Sequence, residues 1–198
     1  KRYFSEGEPG QGYLFLVDEA HNLVPRAREM YSASLVKEDV LFVKRILKSQ
    51  PGAGRVLPQL DKCNQKFLEL KRAYGSGNEE GIVHRQVLGS DYELLPDVNL
   101  LALQLMSLFG ELETFMNENV EFPDRDLVLE FYFAARDFLY VYDRLDDNYR
   151  IYARLLPDGQ FMVKLLCINP SLNLKEWLDR GASTVFFSAT LLPIQYYK

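Results

Sequence analysis

The stretch YLFLVDEAHNLV (residues 13–24) decides how this chain is read. An apolar run, residues 14–17, ends in two carboxylates, Asp18 and Glu19, followed by Ala20 and His21. A short apolar segment flanked by glycine and acids reads as a buried strand. In open parallel α/β sheets, ligands sit at the carboxyl ends of the strands. Asp18 in that position is suited to hold the Mg²⁺ that bridges the β- and γ-phosphates of a nucleotide. Glu19 is suited to orient and deprotonate an attacking water. His21, one turn on, is placed to sense the γ-phosphate. The plain alternative is an acidic start to the following helix, which the helix dipole favours. The phosphate-cradling loop GxxxxGK[ST], which such chemistry needs, occurs nowhere in the 198 residues. GAGR (52–55) lacks the Lys-Ser/Thr pair and reads as a turn.

A second apolar run with a chemical ending lies near the other end of the chain. TVFFSAT (184–190) reads as a buried strand closed by Ser188, Ala189 and Thr190. The two hydroxyls are suited to bond an acid or a histidine; the structural alternative is an ordinary helix cap after a strand.

Between these two runs the periodicity is mostly helical. After Pro25 the pattern changes from strand to helix. Val36, Val40, Val43 and Leu47 define one helix, and Leu60, Cys63, Phe67, Leu70 and Tyr74 a second. SQPGAGR (49–55) separates them, and GSGNEEG (75–81) reads as a loop that also leaves His84 in irregular chain. Leu101, Leu105, Leu108, Leu112 and Phe115 form a heptad-like seam on a third helix. Residues 126–145 form a fourth, central helix with two adjacent apolar stripes. Leu127, Phe131, Phe138 and Tyr142 make one; Val128, Tyr132, Ala135 and Leu139 make the other. Its aromatics read as core rather than as a base-stacking platform. Then the period becomes two: RIYARLL and FMVKLLCI flank PDGQ (157–160), a hairpin signal. SLNLKEWLDRG (171–181) is a short helix with Ser171 as N-cap and Gly181 as its stop.

With the motifs in place, the whole order becomes specific. VDEAHNLV and VFFSAT resemble motifs II and III of superfamily 2 helicases. The four helices and hairpin between them resemble the XPD/DinG family of iron–sulfur DNA helicases, in which an Arch domain is inserted at this point. LLCINPSLNLKEWLDRGASTVFFSATLLP is similar to the family's return segment. The resemblance implies an ATP-dependent 5′→3′ DNA helicase acting in DNA repair, of which this chain is the Arch-containing fragment that helps guide single-stranded DNA. It implies roles for Asp18 and Glu19 in binding ATP and Mg²⁺ and activating water, with Asp18 as the metal ligand. His21, Ser188, Ala189 and Thr190 would couple hydrolysis to DNA movement. It places the phosphate loop and the 4Fe–4S cluster upstream and the second motor domain downstream, so the fragment alone is expected to be inactive. The chain opens without methionine and ends on PIQYYK, and both ends are expected to be cuts through a longer protein. The expected fold is α+β: a mainly helical Arch bundle with a small sheet and hairpin from motor-domain remnants at its base. The expected domains are 1–30 with motif II, 31–148 as the Arch, and 149–198 with the hairpin, short helix and motif III.

Composition agrees with a packed domain and restricts its partners. Hydrophobic residues make 47% of the chain, and the formal charge is -5, which argues against an overall basic nucleic-acid binder. A local basic face is still present between residues 37 and 72, whereas acids dominate from 79 to 147. Lys44 and Lys48, and Lys62 and Lys66, each share a helix face and are the candidates for contacting single-stranded DNA, against an ordinary solvated surface. Cys63 and Cys167 lack CxxC spacing and read as reduced and structural. No segment is long and apolar enough to span a membrane, and the N-terminal residues do not form a signal peptide. The expected location is the cytoplasm of a bacterium, or the nucleus if the source is eukaryotic. Two rivals remain. One is a protein-docking module, which an exposed apolar patch without basic neighbours would favour. The other is a helical scaffold with a chance DEAH, which separated end strands would favour.

Overall fold

The computed structural model describes residues 13–74, 84–87 and 90–189. In chain order, these form β1 (Leu14–Val17), a 3-10 turn (Ala20–Asn22), α1 (Leu23–Met30), β2 (Ala33–Val36), α2 (Lys37–Leu47), a second 3-10 turn (Ala53–Arg55) and α3 (Val56–Ala73). Then come β3 (His84–Val87), β4 (Ser90–Leu94), α4 (Asn99–Glu118), α5 (Arg125–Tyr142), β5 (Tyr149–Leu155), β6 (Phe161–Cys167), α6 (Ser171–Leu178) and β7 (Ser183–Phe186). The fold is α+β, with two separate sheets. The loop expected at 75–81 and Thr190 lie outside the described residues.

The chain divides into two compact units. One comprises Lys1–Tyr31 with Cys167–Lys198; the other is Ser32–Leu166. In the second unit, helical spacing translates into burial. Val40, Val43 and Leu47 of α2, Leu60, Cys63 and Phe67 of α3, and the α4 seam Leu101, Leu105, Leu108, Leu112 and Phe115 are all buried. α2 carries Glu38 and Asp39 in its first turn and Lys44 and Arg45 in its last, the polarity that a helix dipole favours. Lys44 pairs with Asp61, and Glu38 lies near Lys71. The numbering therefore runs in opposite directions along the two helices, and α2 and α3 are antiparallel.

The central helix differs from its expected pattern. α5 buries a single face, Val128, Phe131, Ala135, Phe138 and Val141. This face threads between the two expected stripes, leaving Leu127 exposed and Tyr132 at the flank. Neighbours on both sides select the face midway between two equally apolar rows.

The larger differences are in the β structure. The hairpin does form, with Gly159 at φ 82 in its turn and Leu156 N–H donating to the Gln160 carbonyl at 2.8 Å. The sequence reading places it with the C-terminal segment; the structure places residues up to Leu166 with the helices. The physical reason is strand pairing. β6 takes β2 as an antiparallel neighbour, Ala33 opposite Leu165, and β5 takes β4, Glu93 opposite Ala153. The result is a five-stranded sheet in the order β2-β6-β5-β4-β3. β2 joins no hydrophobic alternation long enough to be read as a strand, and β3 places His84 in a strand rather than in irregular chain.

The first unit is built on β1 and β7, which pair in parallel: Leu14 opposite Ser183, Phe15 opposite Thr184, Leu16 opposite Val185 and Val17 opposite Phe186. The two apolar runs at the ends of the described chain are therefore parallel neighbours in one sheet. α6 leads into β7, but its cap is not Ser171. The helix starts at Ser171, and the Asn169 side chain accepts the Ser171 N–H at 3.1 Å. Gly181 ends the helical turn and is also needed sterically. A Cβ there would lie 2.5 Å from Cδ2 of Phe15 and 3.4 Å from the Tyr13 carbonyl. Next to it, Ala182 N–H donates to that same carbonyl at 2.8 Å. Gly181→Ala is expected to destabilise this unit by about 1–3 kcal/mol, the usual cost of overpacking. Amide hydrogen exchange at Ala182 should speed up while the Leu105 amide stays protected; unchanged exchange at Ala182 would show that the close approach to Phe15 is not a constraint.

Candidate functional site

The site is made where β1 and β7 end. Beyond the paired register, Phe187 N–H donates to the Val17 carbonyl at 3.0 Å, and Ala20 N–H donates to the Phe187 carbonyl at 3.1 Å. Phe187 thus clasps the turn after β1 through its backbone, and the next residue, Ser188, is carried to the DEAH turn. Motif spacing could not reveal this clasp, because it depends on main-chain groups rather than on side-chain type.

Glu19 occupies the left-handed region, φ 50 and ψ 43, which is unusual for a residue with a Cβ. Such a conformation costs on the order of 1–3 kcal/mol and persists where surrounding contacts hold it. Here the Asp18 carboxylate accepts the Glu19 N–H at 2.7 Å, and the Glu19 carbonyl accepts the Asn22 N–H at 2.8 Å. The turn starts the 3-10 segment and then α1, and it points the Glu19 side chain towards His21 and Ser188.

Those three side chains form a hydrogen-bonded cluster. His21 Nδ1 is 2.7 Å from Ser188 Oγ and 3.1 Å from Glu19 Oε2. Ser188 Oγ donates to Glu19 Oε2 at 3.2 Å. A lone pair on Nδ1 would face the Glu19 carboxylate, so this geometry favours the proton on Nδ1. Nδ1–H then donates to Ser188, and the serine hydroxyl passes its own hydrogen to Glu19. The serine and the acid meet the same ring nitrogen. A nucleophilic serine relay needs them on opposite nitrogens, so the cluster is not a hydrolase triad. It is a hydrogen-bonded cluster that joins the acid, the histidine and the serine.

Of the residues singled out in sequence, Glu19, His21 and Ser188 are brought together. Asp18 stands exposed beside them at the end of β1, and Ala189 follows Ser188 on the exposed chain. Thr190 lies outside the described residues. Asp18 fits the role of a Mg²⁺ ligand in the manner typical of nucleotide sites, where one or two carboxylates and the phosphates hold an otherwise hydrated ion. An iron–sulfur cluster does not fit the cysteines of this chain. Cys63 and Cys167 are both buried and fall in different units, and burial pushes the Cys63 thiol up to about 12.

The four candidate lysines divide into two kinds. Lys44 is paired with Asp61, and Lys66 holds Glu69 at 2.8 Å. Lys48 and Lys62 are exposed and make no ion pair among the described residues. Arg45, Arg55 and Arg72, which the sequence reading did not single out, are likewise exposed without a carboxylate partner there. The antiparallel register of α2 and α3 sets Arg45 and Lys48 alongside Lys62 and Arg55 at one end of the helix pair, while Arg72 lies at the other end, next to the Lys71–Glu38 contact. Spacing shows which lysines share a face; it does not show which of them already hold an acid.

No protein-family model matches the chain, and no curated protein matches it at a significant level.

Proposed function

We propose that this chain is the Arch-bearing part of an ATP-dependent 5′→3′ DNA helicase of the XPD/DinG type, and that it helps guide single-stranded DNA. The observation that carries the reading is the cluster of Glu19, His21 and Ser188. Two apolar strands, each ending in a helicase-like motif, pair in parallel and bring Ser188 within 2.7 Å of His21 across 167 positions of sequence. A helical scaffold with a chance DEAH gives no reason for that meeting. In a bacterial source, the cytoplasm is the compartment where such an enzyme meets DNA; among the described residues no helix is long and apolar enough to cross a membrane.

In this reading, Asp18 would hold the Mg²⁺ of a bound Mg²⁺–ATP, which would supply charge neutralisation for phosphoryl transfer. Glu19 holds the attacking water and takes its proton. His21 and Ser188 tie the position of Glu19 to the end of β7, so movement of that strand changes the alignment of the base. The chain has no phosphate loop and lacks the backbone cradle that supplies much of nucleotide affinity. The purified fragment should therefore turn over no ATP. In the complete reading frame, Glu19→Gln should lower ATP turnover by about 10²-fold or more, while nucleotide binding, measured by fluorescent-ATP anisotropy, stays near the parent value. Full ATPase activity in that variant would remove Glu19 from the catalytic role.

DNA guidance is the second element. Exposed, unpaired cations at the shared end of α2 and α3 are better placed to meet phosphates than lysines that must first break an ion pair. Each phosphate contact on a single strand contributes about -0.7 to the slope of log K against log salt. The Lys48→Glu, Lys62→Glu double variant should weaken binding of a fluorescent oligothymidine and reduce that slope by about 1.4. Lys44→Gln, Lys66→Gln should change it much less. Equal effects from the two pairs would show that the α2–α3 end is not the contact surface.

A further inference from the structure

We infer that the outward face of the five-stranded sheet is a platform for the unpaired bases of a single-stranded nucleic acid, RNA as well as DNA. The bases stack on Tyr92 and Tyr152, and Arg154 and Lys164 hold the phosphates. This surface shares no residue with the DEAH turn or the α2–α3 end and does not depend on the helicase reading. Strand register defines the face. Across β4 and β5, Leu94 lies opposite Tyr152 and Glu93 opposite Ala153. Glu93, Ala153, Val163 and Leu165 are buried. Side chains alternate along a strand, so Tyr92, Tyr152, Arg154 and Lys164 fall on the other side. Ser34 of β2 lies opposite Lys164 and extends that side. All four are half-buried, and no carboxylate occupies the described positions of this face.

The side chains on this face select the ligand. The Tyr92 and Tyr152 ring centroids lie 5.6 Å apart with their planes tilted by 60°. Two bases that meet these rings must splay apart, which an unpaired strand allows and a duplex does not. Burial pushes the Tyr152 phenol up, and the Arg154 charge beside it acts in the opposite direction. Arg154 Nε is buried and makes no hydrogen bond. A buried donor left without an acceptor is costly, and a phosphate oxygen would satisfy it with a charge-assisted bond. Neither Arg154 nor Lys164 has an ion pair among the described residues. Arg150, the third cation of the face, is instead tied to the Asp147 and Tyr149 carbonyls. Rings interleaved with free cations match the two recurring parts of a single strand, the base plane and the phosphate. An acidic peptide offers charge without a plane for the tyrosines. The rings meet the flat face that all bases share and not the sugar, so ribose and deoxyribose strands fit alike.

The test uses the full 198-residue chain. Fluorescent oligothymidine and oligouridine of about 12 nucleotides are titrated by anisotropy beside an abasic oligomer of the same length, a duplex and an oligoglutamate peptide. The two single strands should bind alike, and more tightly than the other three probes. Tyr92→Leu and Tyr152→Leu should each weaken them by about tenfold and leave the abasic oligomer unaffected, while Tyr92→Phe and Tyr152→Phe keep the parent affinity. Arg154→Gln with Lys164→Gln should lower the salt slope by about 1.4. The tyrosine effect should persist in the Lys48→Glu, Lys62→Glu background, so that failure at the α2–α3 end and failure of this platform are told apart. If a Leu variant misfolds by circular dichroism, the abasic comparison on the unchanged chain and the Phe variants still decide. Abasic or oligoglutamate binding as tight as oligothymidine would overturn the proposal. So would unchanged affinity in folded Leu variants, or a loss in the Phe variants equal to that in the Leu variants.

Discussion

The parallel pairing of β1 with β7 is the constraint on which the candidate site depends. The two strands are separated by almost the whole described chain, and nothing local holds them together. A two-stranded parallel ladder buries little by itself, and parallel pairing is normally stabilised by layers on both faces. Here Leu14 and Leu16 are 62% and 65% exposed, so side-chain burial on that face contributes little. Geometry is held instead by main-chain bonds at both ends. Ala182 donates to Tyr13 where β7 begins, and Phe187 clasps Val17 and Ala20 where it ends. Gly181, pressed against Phe15, sets how closely the two segments approach. The strained turn at Glu19 is affordable because these bonds surround it.

The chain departs after Tyr31 and returns before Cys167, and the departing and returning segments are themselves paired as β2 and β6. The helices between them can therefore form a separate core. The Leu101–Phe115 seam, the buried face of α5, and the α2–α3 pair meet as ordinary helix packing, without needing any residue of the DEAH turn.

How much of this was legible depended on whether the signal was local. Helical periodicity found α2, α3, α4 and α5 because each buries one face at regular spacing. The Asp-Gly turn found the hairpin. The motif residues Glu19, His21 and Ser188 were recognisable by type, and the strands carrying them by their apolar runs. β2 was not legible, because four residues give no usable alternation, and it is a strand only by virtue of β6. The assignment of the hairpin to the helices was lost for the same reason: strand partners are chosen in space. α5 presents two stripes that are both apolar in sequence, and packing alone selects the row between them. Lys44 and Lys66 looked equivalent to Lys48 and Lys62 until Asp61 and Glu69 appeared beside the first two.

The central claim is that His21 and Ser188 act as one link between nucleotide chemistry and DNA movement. A double-mutant cycle in the complete reading frame tests it most directly, with His21→Ala, Ser188→Ala and the pair assayed for DNA-stimulated ATPase and for strand unwinding. Residues acting through one hydrogen bond should not be additive. Each single variant is predicted to lose unwinding to the same extent as the pair, while retaining most ATP turnover. Additive losses, or single variants that unwind normally, would contradict the account and reduce the 2.7 Å contact to a structural hydrogen bond.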